Sequence, residues 1–145
     1  MLRSIWAVVL ATASCIATAQ MTPVGLWKTI DDDGKTEKSL VRISDKGGVL
    51  SGVIDKIFDP AKQDSKCDLC SDERKDKPVL GMEIVRDARK SDRRAVWQGG
   101  HILDPNSGKV YKLKMTPIED GKKLEVRGFI GFALLGRTQT WVRTQ

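Results

Sequence analysis

The sequence predicts an all-β domain, a small eight-stranded antiparallel barrel of the up-and-down type. Apolar and polar residues alternate along short segments rich in β-branched and aromatic side chains, which is the period of a strand with one wet face. Turn-forming glycine, proline, asparagine and aspartate residues recur between these segments, and no segment has a helical period. Closing the sheet removes the edges that short strands would otherwise expose, and a β-sandwich is the alternative.

The clearest strand is predicted at residues 110–115, where Tyr111, Leu113 and Met115 alternate with lysines. Residues 123–127 alternate in the same way and follow a turn at 119–122, so the two segments predict a hairpin. The other predicted strands are residues 24–30, 39–43, 49–57, 82–86, 95–103 and 138–143.

The N-terminal residues predict a signal peptide. An uncharged apolar run over residues 5–16 precedes Ala17-Thr18-Ala19, a pattern that signal peptidase accepts. We therefore expect a signal peptide at 1–19 and a single domain at 20–145, exported to the periplasm or to the extracellular space. The apolar run is shorter than the roughly 20 residues that cross a bilayer, and Cys15 lacks the upstream pattern of a lipidation site, so no membrane anchor is expected.

The charge of the chain gives a weak indication of its partners. The 25 Lys and Arg residues exceed the 19 Asp and Glu residues, for a formal net charge of +6, but both signs are interspersed along the chain. For an exported protein this favours anionic envelope components over nucleic acid as partners. The sequence leaves the oligomeric state open.

Two cysteines remain after the predicted signal peptide, Cys67 and Cys70. In an oxidising compartment this pair predicts a disulfide that shapes a loop. A thiol-disulfide oxidoreductase is disfavoured, because residues 71–78 are charged and lack the helix that would stabilise a thiolate. A zinc site would need two further ligands, and His101 has no partner at ligand spacing, so we expect neither a metal nor a cofactor.

No catalytic motif is found. His101 is the only histidine and accompanies neither a Gly-x-Ser-x-Gly elbow nor a His-Glu-x-x-His helix, which predicts a strand residue in a protein that is not an enzyme. The acidic run 31–33 faintly suggests calcium, but Gly34 arrives too early for an EF-hand loop and Lys35 occupies a ligand position. A solvated hairpin turn is predicted there.

Two other segments allow alternative interpretations. Residues 86–94 contain five basic and two acidic side chains, which favours a solvated turn over an anion site. Residues 128–136 form the most apolar stretch of the expected domain. We expect this stretch to be buried, as a core strand or a plug at one end of the barrel. The alternative is an apolar lip that meets a lipid-like ligand or a membrane.

Gly25-Leu26-Trp27 resembles the Gly-x-Trp motif of lipocalins and other calycins, in which the tryptophan packs at the base of the barrel beneath an arginine from near the chain end. Arg137 or Arg143 could take that arginine's place. The wider pattern resembles a family of small secreted bacterial domains of unknown function (DUF2147), through Cys67-x-x-Cys70, Lys77-Pro78-Val79-Leu80-Gly81, Trp97-x-Gly99-Gly100, Gly108-Lys109-x-Tyr111, Leu124-x-Val126-Arg127-Gly128 and Gly136-Arg137-Thr138-Gln139-Thr140-Trp141. The resemblance covers essentially the whole expected domain and implies a lipocalin-like barrel without catalytic residues to transfer.

The leading functional hypothesis is an exported protein that binds a small apolar or amphiphilic ligand inside the barrel. The alternative is a packed barrel that contacts another envelope protein or an anionic polymer through the Cys67–Cys70 loop or the basic segment 86–94. Strand parity predicts the following residues as the inward-facing lining: Trp27, Ile43, Trp97, Tyr111, Leu113, Met115, Leu124 and Val126.

Overall fold

The computed structural model describes residues 21–132 and 135–144, and every structural statement below refers to these residues. Their strands form one closed antiparallel barrel in which each strand pairs with the next and β8 returns to β1. The predicted all-β, up-and-down fold is therefore confirmed, whereas the predicted signal peptide lies outside the described residues. The strands are β1 Gly25–Ile30, β2 Glu37–Lys46, β3 Val49–Ile57, β4 Glu83–Lys90, β5 Trp97–Asp104, β6 Lys109–Ile118, β7 Lys123–Phe129 and β8 Gly136–Arg143.

The alternation of side chains along β6 and β7 shows why these segments are strands. Leu113 and Met115 are buried in the interior, whereas Lys112 between its apolar neighbours is exposed. On β7, Gly128 pairs with Leu113 and Val126 pairs with Met115. Paired residues face the same side of the sheet, so this register brings the apolar faces of both strands into one interior.

Several strands extend beyond their predicted bounds, because ladder hydrogen bonds continue into segments without clear alternation. β4 runs to Lys90, so the predicted turn at 86–94 is wrong for its first half and the connection is confined to residues 91–96.

β6 includes Pro117, which the interior of a sheet disfavours. The last pair between β5 and β6 is Trp97 with Met115. Pro117 therefore lies beyond the end of the β5–β6 ladder and pairs only with Leu124 of β7, so its missing N–H removes no hydrogen bond to β5.

The two ends of the barrel differ. At one end, which we call the base, lie the short connections 47–48, 91–96 and 119–122 together with the first and last described residues. At the other end, which we call the open end, lie the connections 31–36, 58–82, 105–108 and 130–135. Short 3₁₀ helices occur at Pro60–Lys62 and Glu119–Gly121. None of the described helical segments is long and apolar enough to span a membrane.

The core fills the barrel on the side of the base. The cluster of buried residues has members from all eight strands and from the 58–82 connection, as is usual for a small barrel filled by side chains. The largest side chains that are fully buried are Trp27, Val41, Ile43, Leu50, Val85, Leu113, Met115 and Leu124.

Candidate functional site

The base is closed by Arg143 stacked on Trp27. The guanidinium carbon lies 4.2 Å from the centroid of the Trp27 ring, within the range of a cation–π interaction. The same guanidinium donates hydrogen bonds to the carbonyl oxygens of Gly121, Val24 and Thr22 at 2.6, 2.7 and 2.6 Å. Arg143 thereby ties the start of β1, the β6–β7 turn and the end of β8 together, and burial lowers its pKa.

The Gly-x-Trp segment fits this closure. Gly25 has a φ of 144°, a conformation that side-chain-bearing residues rarely adopt. Trp27 is fully buried, and its indole N–H donates to the carbonyl oxygen of Pro23 at 2.7 Å. Of the two arginines that the motif left open, the structure places Arg143 over the tryptophan. Arg137 lies instead at the open end, where it pairs with Asp32 at 2.9 Å.

A cavity of about 810 Å³ lies above the packed core and opens at the open end. This volume falls within the range of small-molecule sites, about 300–1,000 Å³. Its wall is built from strand residues of both halves of the barrel and from the 58–82 connection that folds over the opening. The apolar and aromatic wall residues are Ile30, Ile54, Ile57, Leu69, Val79, Ile84, Ile102, Leu103, Tyr111, Val126 and Trp141.

The predicted lining residues divide into two sets along the barrel axis. Tyr111, which is half-buried, and Val126, which is buried, border the cavity. The other six are buried in the packed core below and do not border it, because parity along a strand gives the face of a residue and not its height in the barrel. These six are Trp27, Ile43, Trp97, Leu113, Met115 and Leu124. The sequence analysis missed most of the upper wall, whose residues lie on strand ends and in the long connection.

The rim of the cavity carries charges of both signs. Lys38 pairs with Asp31 at 3.3 Å. By contrast, Lys62 and Lys66 border the cavity from the 58–82 connection and form no ion pair with a carboxylate of the described chain. Asp59 and Asp68 border the cavity from the same connection and likewise form no ion pair within the described residues. The rim therefore offers both ammonium and carboxylate groups.

A hydrogen-bonded chain bridges β8 and the β1–β2 turn at the rim. The indole N–H of Trp141 donates to the side-chain oxygen of Gln139 at 3.2 Å, and the Gln139 amide donates to Asp32 at 2.9 Å. The ladder between β1 and β8 contains only the pairs Trp27 with Arg143 and Lys28 with Val142. Above that ladder, side-chain hydrogen bonds from Arg137 and Gln139 of β8 to Asp32 link β8 to the β1–β2 turn.

The acidic β1–β2 turn has its own internal partners. Asp33 accepts hydrogen bonds from the Thr36 hydroxyl and from the backbone N–H groups of Thr36 and Lys35. The Thr36 hydroxyl, followed by these N–H groups, lowers the pKa of Asp33 to about 2. No group of three or more His, Cys, Asp or Glu side chains within 21–132 and 135–144 is arranged to hold a metal ion.

The cysteines form a disulfide within the connection over the cavity, with sulfur atoms 2.00 Å apart. Cys67 and Cys70 are only 0% and 2% exposed, so an external thiolate cannot reach either sulfur while the loop is closed. Leu69, between them, is exposed and borders the cavity. A Cβ added to Gly108 would meet the Leu69 carbonyl oxygen at 2.0 Å. The disulfide loop is thus held directly against the β5–β6 turn.

A buried arginine anchors the same connection. Arg74 is 7% exposed and binds the Asp72 carboxylate, with the closest contact at 2.6 Å. Its other terminal nitrogen donates to the carbonyl oxygen of Glu83, at the start of β4, at 2.9 Å. The Arg74 guanidinium lowers the pKa of Asp72 to about 2.

The remaining sequence candidates lie apart from the cavity. His101 is exposed on β5, where its neighbours on the adjacent strands are Arg86 and Lys112. Arg86 pairs with Glu73 and Glu83. The other predicted basic residues are at the base, where Arg89 and Lys90 end β4 and Arg93 and Arg94 lie in the 91–96 connection. The two contact regions of the interaction-protein alternative, the disulfide loop and the basic turn, therefore lie at opposite ends of the barrel.

The expectation that residues 128–136 are buried is wrong for the described residues of the hairpin, whereas Phe129 is buried as expected. Gly128 and Phe129 end β7, Gly136 begins β8, and the described residues between them lie in the hairpin connection at the open end. Ile130, Phe132 and Leu135 are exposed. An apolar run of this length resembles a core strand in sequence, but its glycines place it at a turn.

The barrel, the apolar cavity and the Trp27–Arg143 closure can now be compared with known proteins. Residues 25–143 match the family described as "Uncharacterized protein conserved in bacteria (DUF2147)". The chain belongs to this family. The DUF2147 resemblance predicted from the sequence is thereby confirmed.

Among solved structures, the DUF2147 chain is similar to HP1028 from the human pathogen Helicobacter pylori, a protein described as belonging to the lipocalin family. The two chains share 20% identity with a TM-score of 0.74, and the match covers 87% of this chain and 85% of the other. At this identity the similarity shows the fold, a lipocalin-like barrel. A search among curated proteins finds no match.

Proposed function

We propose that this DUF2147 protein binds a small apolar or amphiphilic molecule in the cavity of its barrel. The observation that carries the proposal is the cavity itself, about 810 Å³ in volume, with eleven aliphatic and aromatic side chains in its wall beside polar and charged ones. Concave and mainly apolar pockets with a few polar groups at the mouth are typical of ligand sites. Transfer of an apolar ligand into such a wall is favourable by about 25 cal/mol for each Å² removed from water.

An amphiphile suits the arrangement of polar groups. Apolar residues such as Ile84 and Ile102 line the wall, whereas Lys62 and Lys66 lie on the connection at the mouth. A ligand whose chain fills the cavity would leave its headgroup at the mouth, within reach of these ammonium groups. The ammonium groups suit a carboxylate or phosphate headgroup, and Asp59 and Asp68 beside them suit the cationic part of a zwitterionic one.

The role we propose is binding without catalysis, in a protein exported by cleavage of residues 1–19. The cavity wall contains no histidine and no cysteine, and the disulfide sulfurs are buried.

Export would be tested separately, by measuring the mass of the protein recovered from the bacterial envelope. A mass that includes residues 1–19 would contradict it.

Binding can be tested with 1-N-phenylnaphthylamine, a neutral dye that fluoresces in apolar surroundings. The wild-type protein should enhance its fluorescence saturably. Ile102→Trp, which adds volume to a half-buried wall residue, should weaken dye binding at least tenfold. The matched control is Val53→Trp, because Val53 is equally half-buried on β3 but does not border the cavity.

Two outcomes would overturn the proposal. One is the absence of saturable dye binding by wild-type protein whose circular dichroism shows the β-fold. The other is equal binding by the Ile102 and Val53 variants. Native mass spectrometry of protein purified from its own envelope complements the dye, because a retained ligand would be released from the wild-type protein and absent from Ile102→Trp.

A further inference from the structure

The open end of the barrel collects exposed apolar side chains. In the described chain the large hydrophobic residues that are exposed are Met21, Leu69, Leu80, Val110, Ile130, Phe132 and Leu135. Met21 is the first described residue, near the base. The other residues lie in the connections of the open end or at the adjacent start of β6. Scattered single residues would be ordinary, but their segregation to one end marks a contact surface.

The most exposed of them are on the β7–β8 hairpin, which we call the tip and define by Ile130, Phe132 and Leu135. They are 61%, 78% and 68% exposed. Turn residues of a protein that meets only water are ordinarily polar. The tip adjoins the cavity, because Gly128 and Gly136 on either side of it border the cavity wall.

The wall of the barrel behind the tip is basic. β6 contains Lys109, Lys112 and Lys114 and no acidic residue, whereas β7 contains Lys123 and Arg127 together with Glu125. On the outer face, Lys114 lies directly opposite Arg127 in the β6–β7 ladder, and Lys112 lies opposite Phe129. Like charges paired across strands repel each other, whereas Lys114 also lies 5.8 Å from the centroid of the Phe129 ring and Arg127 donates to the Thr138 hydroxyl at 3.0 Å. This concentration of positive charge would be favourable next to an anionic surface.

We propose that the tip inserts into the interface of an anionic lipid bilayer, with the basic wall of β6 and β7 resting against the headgroups. A projecting apolar hairpin backed by lysines is suited to an interface in which apolar side chains reach the acyl boundary and ammonium groups meet lipid phosphates.

Docking in this way places the mouth of the cavity beside the bilayer. Leu69, on the disulfide loop across the mouth, would reach the same surface. A poorly soluble ligand could then pass between membrane and cavity with little exposure to water. The docking inference itself does not depend on a ligand, because it rests on the tip and on the basic wall.

Flotation with vesicles tests the proposal. Wild-type protein should bind vesicles of phosphatidylcholine that contain phosphatidylglycerol, bind pure phosphatidylcholine vesicles more weakly, and dissociate as salt is added. The double variant Phe132→Ser with Leu135→Ser should lose at least about tenfold in vesicle partitioning. Met21→Ser, an exposed apolar residue near the base, is the control and should bind as wild type.

The charge arm of the test uses matched pairs of lysines. Lys109→Glu with Lys112→Glu should weaken binding to the anionic vesicles about fivefold or more and leave binding to neutral vesicles unchanged. Lys46→Glu with Lys122→Glu makes the same change in net charge at the base, where both residues are also exposed, and should have a much smaller effect.

Equal losses from the two pairs, or unchanged partitioning of the tip variant, would overturn the inference. So would a wild-type dimer that the tip substitutions convert to a monomer in light scattering, because the tip would then be an interface between copies. Dye binding by the tip variant reports separately on the cavity and confirms that the variant is folded.

Discussion

The guanidinium carbon of Arg143 lies 4.2 Å from the centroid of the Trp27 ring, and the same group donates to three backbone carbonyl oxygens at the base. Both features depend on the planar fork of arginine. The contact therefore joins the first and last strands at a point where their ladder contains only two residue pairs. We expect it to be a main determinant of barrel closure.

Replacing this arginine should destabilise the protein. Arg143→Met leaves three carbonyl oxygens without their donor and removes the stacked cation, so the free energy of unfolding should fall by about 2–4 kcal/mol. Arg143→Lys should recover only part of this, because an ammonium group cannot reproduce the fork. Arg137→Met is the control. It breaks a pair whose side chains are 57% and 49% exposed, and should cost less than about 1 kcal/mol. Equal losses of unfolding free energy in Arg143→Met and Arg137→Met, measured by urea unfolding, would refute the role of Arg143 in closing the barrel.

The fold could be predicted from the sequence to a large extent. Alternation along β6 identified the face of Leu113 and Met115, and a three-residue motif identified Trp27 as a closure residue. What could not be predicted is the arginine that covers it, because Arg137 and Arg143 lie on the same strand and sequence spacing does not say which end of the barrel each reaches.

The cavity was less predictable than the barrel. Parity places Tyr111 and Leu113 on the inner face alike, yet only Tyr111 borders the cavity. Height along the axis depends on strand tilt and on register, which result from pairings between residues far apart in the chain. The exposure of the tip was also not predicted. Phe132 lies in an apolar run, and composition alone does not distinguish a buried strand from an exposed hairpin.

The ammonium groups at the mouth should contribute to the binding of an anionic amphiphile. Replacing Lys62 and Lys66 together by glutamine should weaken binding of an anionic fluorescent fatty-acid analogue about fivefold or more and leave binding of the neutral dye unchanged. Lys46→Gln with Lys122→Gln at the base is the matched control. A parallel loss of both probes would mean that the substitutions disturb the cavity rather than the recognition of a headgroup.

Acid should weaken the anchor of the long connection through Asp72. Its pKa is lowered from 3.8 to about 2 by the Arg74 guanidinium. A carboxyl group with a depressed folded-state pKa contributes stability above its unfolded pKa and loses it as the pH falls through the folded value. Asp72→Asn should therefore be less stable than wild type at neutral pH, and the difference should shrink between about pH 4 and about pH 2.

Urea unfolding at a series of pH values measures this difference. Asp64→Asn, an exposed residue of the same connection, should follow the wild-type curve. A gap between wild type and Asp72→Asn that stays constant from neutral to acid pH would show that the carboxyl charge is not what stabilises the loop.

The contact between Gly108 and the disulfide loop provides the last prediction. Gly108 and Gly34 both have a φ of +71°, but a Cβ on Gly34 would meet nothing within 4 Å, whereas one on Gly108 would meet the Leu69 carbonyl oxygen at 2.0 Å. Gly34→Ala should thus cost only the backbone strain of about 1 kcal/mol. Gly108→Ala should cost about 2–4 kcal/mol, or else displace the Cys67–Cys70 segment from the β5–β6 turn.

Hydrogen exchange distinguishes these two responses. Displacement of the loop should raise the exchange rate of the Cys67 and Cys70 amides, whose backbone acceptors are Lys77 and Cys67, and should also change how fast the dye leaves the cavity. Loss of global stability without displacement would raise exchange throughout the barrel. Gly108 and Gly34 have the same φ, and the main local difference between them is that only Gly108 lies against the Leu69 carbonyl group. Equal effects of Gly108→Ala and Gly34→Ala on the free energy of unfolding and on hydrogen exchange would therefore show that this turn does not hold the disulfide loop.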